Sequence, residues 1–378
     1  MGMRARWASF AVFLALAGGF AATGGASKDT IPAAEFSKII RTFSEEEGYF
    51  LSDNLISNED GYLAVVPKLR SLSISGGAYI GVGPEQNFTY IAKLRPSIAF
   101  LIDIRRQAVI QHLMYKALFH LSKDRAQFIS RLLSRSLSGK GAPEAQSSLY
   151  DLMEYFSRTP PSAPYLISNL ADVERAIQSD FKFPLLPEDR DSLAGILQSF
   201  YADGVDVSFQ FRSPRRGRGR GGYGMPSLRE LIEQMDPEGT PGNFLASAEE
   251  YRFVRELHEK NRIIPVVGDF AGTKALKSIA RYLRENGYKV SAFYTSNVEM
   301  YLFQNDVFGD FVKNVTALPI DSKSLFIRSA NNQRDWASTG YRMSTSLQYI
   351  SVFLKDYQEG LYYDYWTMVQ THAIPIHP

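Results

Sequence analysis

Short continuous apolar runs and longer helical spacings alternate along this chain. Phe36, Ile39, Ile40 and Phe43 recur at helical spacing and predict an amphipathic helix covering one face of a sheet, ending near Glu45-Glu46-Glu47. Over 78–104 the pattern changes to an apolar run, a glycine turn, a helical segment (Phe88, Ile91, Ala92), Pro96, and a second run, Ile98-Ala99-Phe100-Leu101-Ile102, closed by Asp103. Strand, helix and strand in so short a span make a βαβ unit, with parallel strands and a right-handed crossover. Residues 105–137 read as one helix, with Ile110, Leu113, Ala117 and Leu121 on one side. Residues 138–160 read as loop around Gly139-Lys140-Gly141, and 164–202 as two or three short helices. Regular structure resumes with a helix over 247–260, a strand over 263–267, a helix over 273–286 stopped by Gly287, a strand over 290–294, and a last strand at Leu325-Phe326-Ile327. The tail is polar from Ala330, helical over about 345–357, then aromatic at Tyr362, Tyr363, Tyr365 and Trp366, a cluster expected to pack on the domain.

The fold class is therefore α/β. At 378 residues, with 45% apolar, 13% aromatic and 22% charged side chains, the chain can bury a large core, and general disorder is excluded. Forty-two basic against 40 acidic residues leave a net charge of +2, too little for whole-surface attraction to nucleic acid. The absence of cysteine removes disulfides and thiolate chemistry. Arg4 and Arg6 precede an uncharged stretch, 7–27, densest over 10–17 and ending in small residues. This predicts a secretory signal over 1–26 and a periplasmic or other extracytoplasmic location, with an uncleaved inner-membrane anchor as the alternative. The membrane is met only through that segment. The basic run Arg212 to Gly222, rich in Arg and Gly, reads as a solvated loop. The organisation expected is a leader, an α/β domain over 27–330 with a helical and Arg/Gly-rich insertion at about 138–225, and an extension over 331–378.

The sharpest chemical signal is Tyr79-Ile80-Gly81-Val82-Gly83-Pro84-Glu85-Gln86-Asn87, between a strand and a helix, with Asp103 ending the next strand. Glycines there let backbone approach a ligand, the helix N-terminus offers unpaired N–H groups, and an acid at the second strand tip accepts both hydroxyls of a ribose. The bland reading of the same residues is a tight strand-to-helix turn. This stretch, 78–105, resembles the class I S-adenosylmethionine-dependent methyltransferase superfamily. The resemblance implies a Rossmann-like sheet with flanking helices, S-adenosylmethionine as cofactor, Gly81 and Gly83 under its methionine and sugar portions with Glu85 in the same turn, and Asp103 on the ribose. The chain departs from the family at Tyr79, where an acid is common, and at Gln86, in place of a third glycine. That missing glycine, and the lack of any Tyr-x-x-x-Lys pair, put a nicotinamide enzyme in third place.

A second block, Val266-Val267-Gly268-Asp269 followed by Tyr294-Thr295-Ser296-Asn297, ends two strands in polar residues where an open α/β sheet places its ligands. Asp269 is the candidate proton acceptor with Glu299 in reserve, and Tyr294, Ser296 and Asn297 are candidates to orient a methyl acceptor. Helix capping is the competing role for Asp269 and for Ser296-Asn297. The run 255–303 is also similar to an uncharacterised bacterial family, a likeness that carries no chemistry. His112 and His120, eight apart, lack a carboxylate at ligand spacing, and no metal site is expected. No H-E-x-x-H, G-x-S-x-G or complete P-loop pattern occurs. Two functions follow: a methyltransferase-like protein binding S-adenosylmethionine or a related nucleoside, or an exported binding protein without turnover on the same fold. The leader favours the second, because a sulfonium cofactor is made in the cytoplasm.

Overall fold

The computed structural model describes residues 29–139, 141–210, 225–331 and 341–376. The expected leader and the Arg/Gly run lie outside them. Six strands, β1 (Ala78–Gly81), β2 (Ile98–Asp103), β3 (Ile263–Val267), β4 (Val290–Ser296), β5 (Leu325–Asn331) and β6 (Met343–Tyr349), form one sheet in the order β3-β2-β1-β4-β5-β6. β1 to β5 are parallel and β6 is antiparallel to β5. Every residue of β1, β2 and β3 is buried, which is why these strands read as unbroken apolar runs.

The helix Gln86–Leu94 returns β1 to β2. It stops at Arg95, which takes a left-handed conformation (φ 49°) and donates its N–H to the Ile91 carbonyl at 3.0 Å, with Pro96 following. The helix Ala33–Phe43 buries Phe36, Ile39 and Ile40 and lies against β3, as its spacing predicts. Ala275–Glu285 connects β3 to β4, and Val298–Gln304 and Phe308–Thr316 connect β4 to β5. No helix among the described residues is long and apolar enough to cross a membrane.

Three expectations are corrected. The helix read over 105–137 is two, Arg106–Leu121 and Arg125–Leu133. Asp124 starts the second by accepting the Gln127 N–H at 2.9 Å. The stretch 138–160 contains a helix, Leu149–Arg158, capped by Ser148, so the helical excursion between β2 and β3 begins at Arg106 and is longer than its composition suggests. The segment after 343, read as helix from 345, is β6, and the helix Ile350–Gln358 follows it. Its polar residues face inward with partners: Gln348, 1% exposed, accepts from Arg328 Nη1 at 2.7 Å, and Thr345 Oγ1 donates to the Gly61 carbonyl at 3.0 Å. The boundary expected at 330/331 thus divides the two strands of one hairpin. The aromatic tail packs on this hairpin, with the Tyr365 hydroxyl donating to the Ser329 carbonyl at 2.7 Å, while Tyr363 stays exposed.

Residues 44–61 run as a belt along the carboxyl edge of the sheet. The Glu45 N–H donates to the Val267 carbonyl (2.9 Å) at the end of β3, and Gly48 N–H to the Ile104 carbonyl (2.8 Å) after β2. The carbonyls of Ser52 and Asp53 accept from Arg105 Nη1 at 2.9 and 2.6 Å. Ser57 and Glu59 meet residues after β1 and β4, and the Asp60 carboxylate accepts the Arg342 and Met343 N–H groups (2.7 and 2.8 Å) at the start of β6. The Glu45 carboxylate also accepts the N–H groups of Asp269, Lys274 and Ala275 at 3.1, 2.5 and 2.7 Å. It satisfies the N-terminus of the helix Ala275–Glu285, the capping work expected of Gly268-Asp269. Glu45→Ala leaves those donors without this partner and should cost about 1–2 kcal/mol in urea unfolding, with Glu45→Gln in between.

Candidate functional site: a crevice at the β1/β4 switch

Strand order in the sheet reverses between β1 and β4, where an open α/β sheet parts its crossovers and leaves a crevice at the strand ends. A cavity of ≈ 190 Å³ lies there. Its walls are Gly83 and Pro84 after β1, Asp103 and Arg105 after β2, Asp269 after β3, and Tyr294, Ser296 and Asn297 at β4, under a roof of Tyr49, Phe50, Ser57 and Glu59 from the belt. A wider, open surface groove of ≈ 960 Å³ is lined by residues of the helical excursion between 136 and 164, none of them in a strand.

The turn after β1 is built from the inside. Asn87 Nδ2 donates to the carbonyls of Val82, Gly83 and Pro84 at 2.9, 3.1 and 2.8 Å, and Asn87 Oδ1 accepts the Tyr79 hydroxyl at 2.9 Å. His112 Nε2 stands 2.9 Å from the Gly83 carbonyl. A carbonyl only accepts, so this nitrogen carries the proton. Burial pushes the imidazole down to about 4, which keeps it neutral. Gly81 is therefore glycine for a different reason than expected. A Cβ there would overlap Asn87 Oδ1 and come within 2.7 Å of the Tyr79 ring, so the space is filled by the chain's own side chains and not by a ligand. Gly83 does open onto the crevice: its φ is +81° and a Cβ would meet nothing within 4 Å.

Asp103 faces the cavity but is already engaged. Arg105 Nε and backbone N–H approach Oδ1 at 2.9 and 3.0 Å, and Nη2 approaches Oδ2 at 2.7 Å. Since each carboxylate oxygen accepts about two hydrogen bonds, Oδ2 alone retains room, for one hydroxyl and not for the expected pair. Asp269 is exposed at the cavity edge, with Oδ1 accepting its own loop's Ala271 N–H at 2.8 Å. Glu299 lies outside the cavity. It is fully buried and accepts from Thr295 Oγ1 and Arg328 Nε, each at 2.9 Å, in a structural ion pair that leaves it no route to a substrate proton. Glu85 also faces away from the cavity. Its Oε1 accepts the Ser57 N–H at 3.3 Å, Oε2 is buried without a partner, and burial pushes the carboxyl up to about 7.

Three contributors were not legible beforehand: Arg105, Ser57 and Glu59. Glu59 is 1% exposed and lines the cavity. It accepts from Ser296 Oγ and, at 3.1 Å, from Gln86 Nε2. Gln86 also donates to the Tyr294 hydroxyl at 3.0 Å and accepts from Ser57 Oγ. The residue standing where a third glycine was expected is thus the hub joining β1, β4 and the belt. Burial raises the Glu59 carboxyl and the Tyr294 phenol above their ordinary ranges. Ser296 takes φ +55°, a left-handed conformation unusual for a residue with a Cβ, at a bulge in the β4/β5 pairing. Residues 51–60 carry no periodicity, and the crevice partners of the Ser57 and Glu59 side chains lie from 27 to 237 positions away, so no local signal marks them.

A family model described as "Domain of unknown function (DUF7790)" matches residues 54–140 and 191–374. The chain belongs to this family. The DUF7790 match takes in all six strands, the turn after β1, and every cavity wall residue named above except Tyr49 and Phe50. No curated protein matches the chain.

Gly81→Ala should destabilise the protein by at least about 2 kcal/mol in urea unfolding, because the methyl has nowhere to go. Gly83→Ala should cost about 1 kcal/mol, from backbone strain alone. Glu85 sets a pH dependence. Its carboxyl ionises near 4.5 when unfolded and near 7 when folded, so between these values the fold retains a proton the unfolded chain has released, and stability falls as pH rises. Glu85→Gln should remove roughly 3 kcal/mol of that decline, read as the difference between wild-type and variant urea midpoints from pH 4.5 to 8.

Proposed function

We propose that the crevice binds a nucleoside-bearing small molecule on a Rossmann-like sheet of methyltransferase type, with S-adenosylmethionine as the leading ligand. The observation that carries the reading is the coincidence, at one strand-order switch, of an open Gly83 turn and a carboxylate at the β2 tip with one acceptor position to spare. The strand order and the antiparallel partner beside β5 support it independently. The cavity is smaller than the roughly 300 Å³ of common ligand sites. A nucleoside would seat its sugar there and lay its base toward the mouth, where the Tyr49 ring is 69% exposed beside Phe50.

When bound, S-adenosylmethionine supplies an electrophilic methyl group. Asp103, held in place by Arg105, accepts a ribose hydroxyl through Oδ2. The belt roofs the crevice and limits water, and Ser296 and Asn297 flank the place for an acceptor. Asp269 is the carboxylate at the cavity edge able to take a proton from that acceptor. The engagement of Glu299 with Arg328 favours, as a second reading, ligand binding without turnover, and an exported location would suit it.

Calorimetric titration tests the ligand. Wild-type protein should bind S-adenosylmethionine, and Asp103→Ala should weaken it about tenfold or more through loss of the charge-assisted hydrogen bond. No heat of binding by folded wild-type protein ends the proposal.

A further inference from the structure

The two acidic positions deep in the crevice differ in one respect that bears on the ligand. Asp103 is neutralised by the guanidinium of Arg105, bound through two nitrogens. Glu59, at the β4 end, has only neutral neighbours: the Ser296 hydroxyl and the Gln86 amide, each hydrogen-bonded to a different carboxylate oxygen, with the Tyr294 phenol and the Ser329 hydroxyl also within reach. No Arg, Lys or His is paired with it among the described residues. An isolated carboxylate sealed from water is costly: such a group takes up a proton, or is completed by something of complementary charge. The geometry is also specific. Ser296 is held in a left-handed conformation at the tip of β4, and its hydroxyl lies on Glu59 Oε1. The Tyr294 and Ser329 hydroxyls can fill the remaining acceptor positions of Glu59, but neither brings a positive charge.

We propose that Glu59 is the cation-recognising residue of the crevice, so that its ligand carries a positively charged group, an ammonium or sulfonium, at the β4 end, opposite the neutralised Asp103–Arg105 end. The inference rests on the crevice being a ligand site and adds the charge of what it takes. The raised affinity of Glu59 for a proton accords with it, because the proton occupies the place of the cation when no ligand is bound. The carboxylate comes from the belt and not from the position before the first glycine, where Tyr79 is spent on bracing Asn87.

Three probes sharing an adenosyl thioether or sulfonium frame test this by calorimetry on the full chain: S-adenosylmethionine, with ammonium, carboxylate and sulfonium; S-adenosylhomocysteine, with ammonium and carboxylate; and methylthioadenosine, with none of the three. Wild-type protein should prefer the two ammonium-bearing probes by about 10- to 100-fold, and Glu59→Gln, which keeps size and one of the two accepted hydrogen bonds, should abolish that preference while still binding methylthioadenosine. Equal affinity of the wild type for charged and neutral probes overturns the inference and leaves the nucleoside reading standing. So does a Glu59→Gln protein that keeps the preference. The wild-type ordering needs no variant and decides the matter should Glu59→Gln not fold. Failure of all three probes to bind overturns both readings together.

Discussion

The carboxyl edge of a parallel sheet is where strand-end carbonyls and helix N-termini come to the surface together, all of them needing partners. In this protein one non-repetitive segment, residues 44–61, answers that need across the sheet, touching in turn the ends of β3, β2, β1 and β4 and the start of β6. The belt fixes much else. Glu45 occupies the N-terminus of the helix Ala275–Glu285, which in an uncovered α/β sheet would be free to hold an anion, and so removes that position from the ligand's choices. Farther along, the same segment brings Ser57 and Glu59 over the β1/β4 crevice and turns an open notch into a roofed cavity.

The turn after β1 follows the same economy of self-satisfaction. Asn87 braces three successive carbonyls and fills the space against Gly81, while Tyr79 holds Asn87 and His112 holds Gly83. Of the two glycines, one is required by packing inside the turn and the other by its positive φ at the cavity wall. A glycine motif read as a single ligand-approach device is here two devices with different jobs.

That division explains how far the sequence reaches. β1, β2 and β3 were legible because strands buried on both faces must be apolar throughout, and the turn between β1 and the next helix was legible because glycine and Pro84 punctuate it. β6 was not: Thr345 and Gln348 are buried polar residues satisfied by the Gly61 carbonyl and by Arg328, partners that no local pattern contains. The site divides likewise. Gly83, Asp103, Asp269, Tyr294, Ser296 and Asn297 line the cavity because each ends a strand or its turn, a place strand prediction locates. Glu299 follows β4 by only three residues and yet turns inward to Arg328, because helix phase and not proximity in sequence decides which way a side chain points. Arg105 and Glu59 escaped because the first is meaningful only beside Asp103 and the belt carbonyls, and the second only beneath β4.

The charge arrangement then gives the crevice a direction. At the β2 end a carboxylate and a guanidinium cancel, leaving hydrogen-bonding capacity without net charge, which suits hydroxyls. At the β4 end a carboxylate stands among neutral donors in a region that water does not reach. Low local polarity magnifies that difference, since a charge sealed from solvent acts more strongly on a neighbour than the same charge at the surface. A ligand with an uncharged polar part and a cationic part is thus oriented by the fold before any finer contact is made, with the uncharged part toward β2 and the cation toward β4.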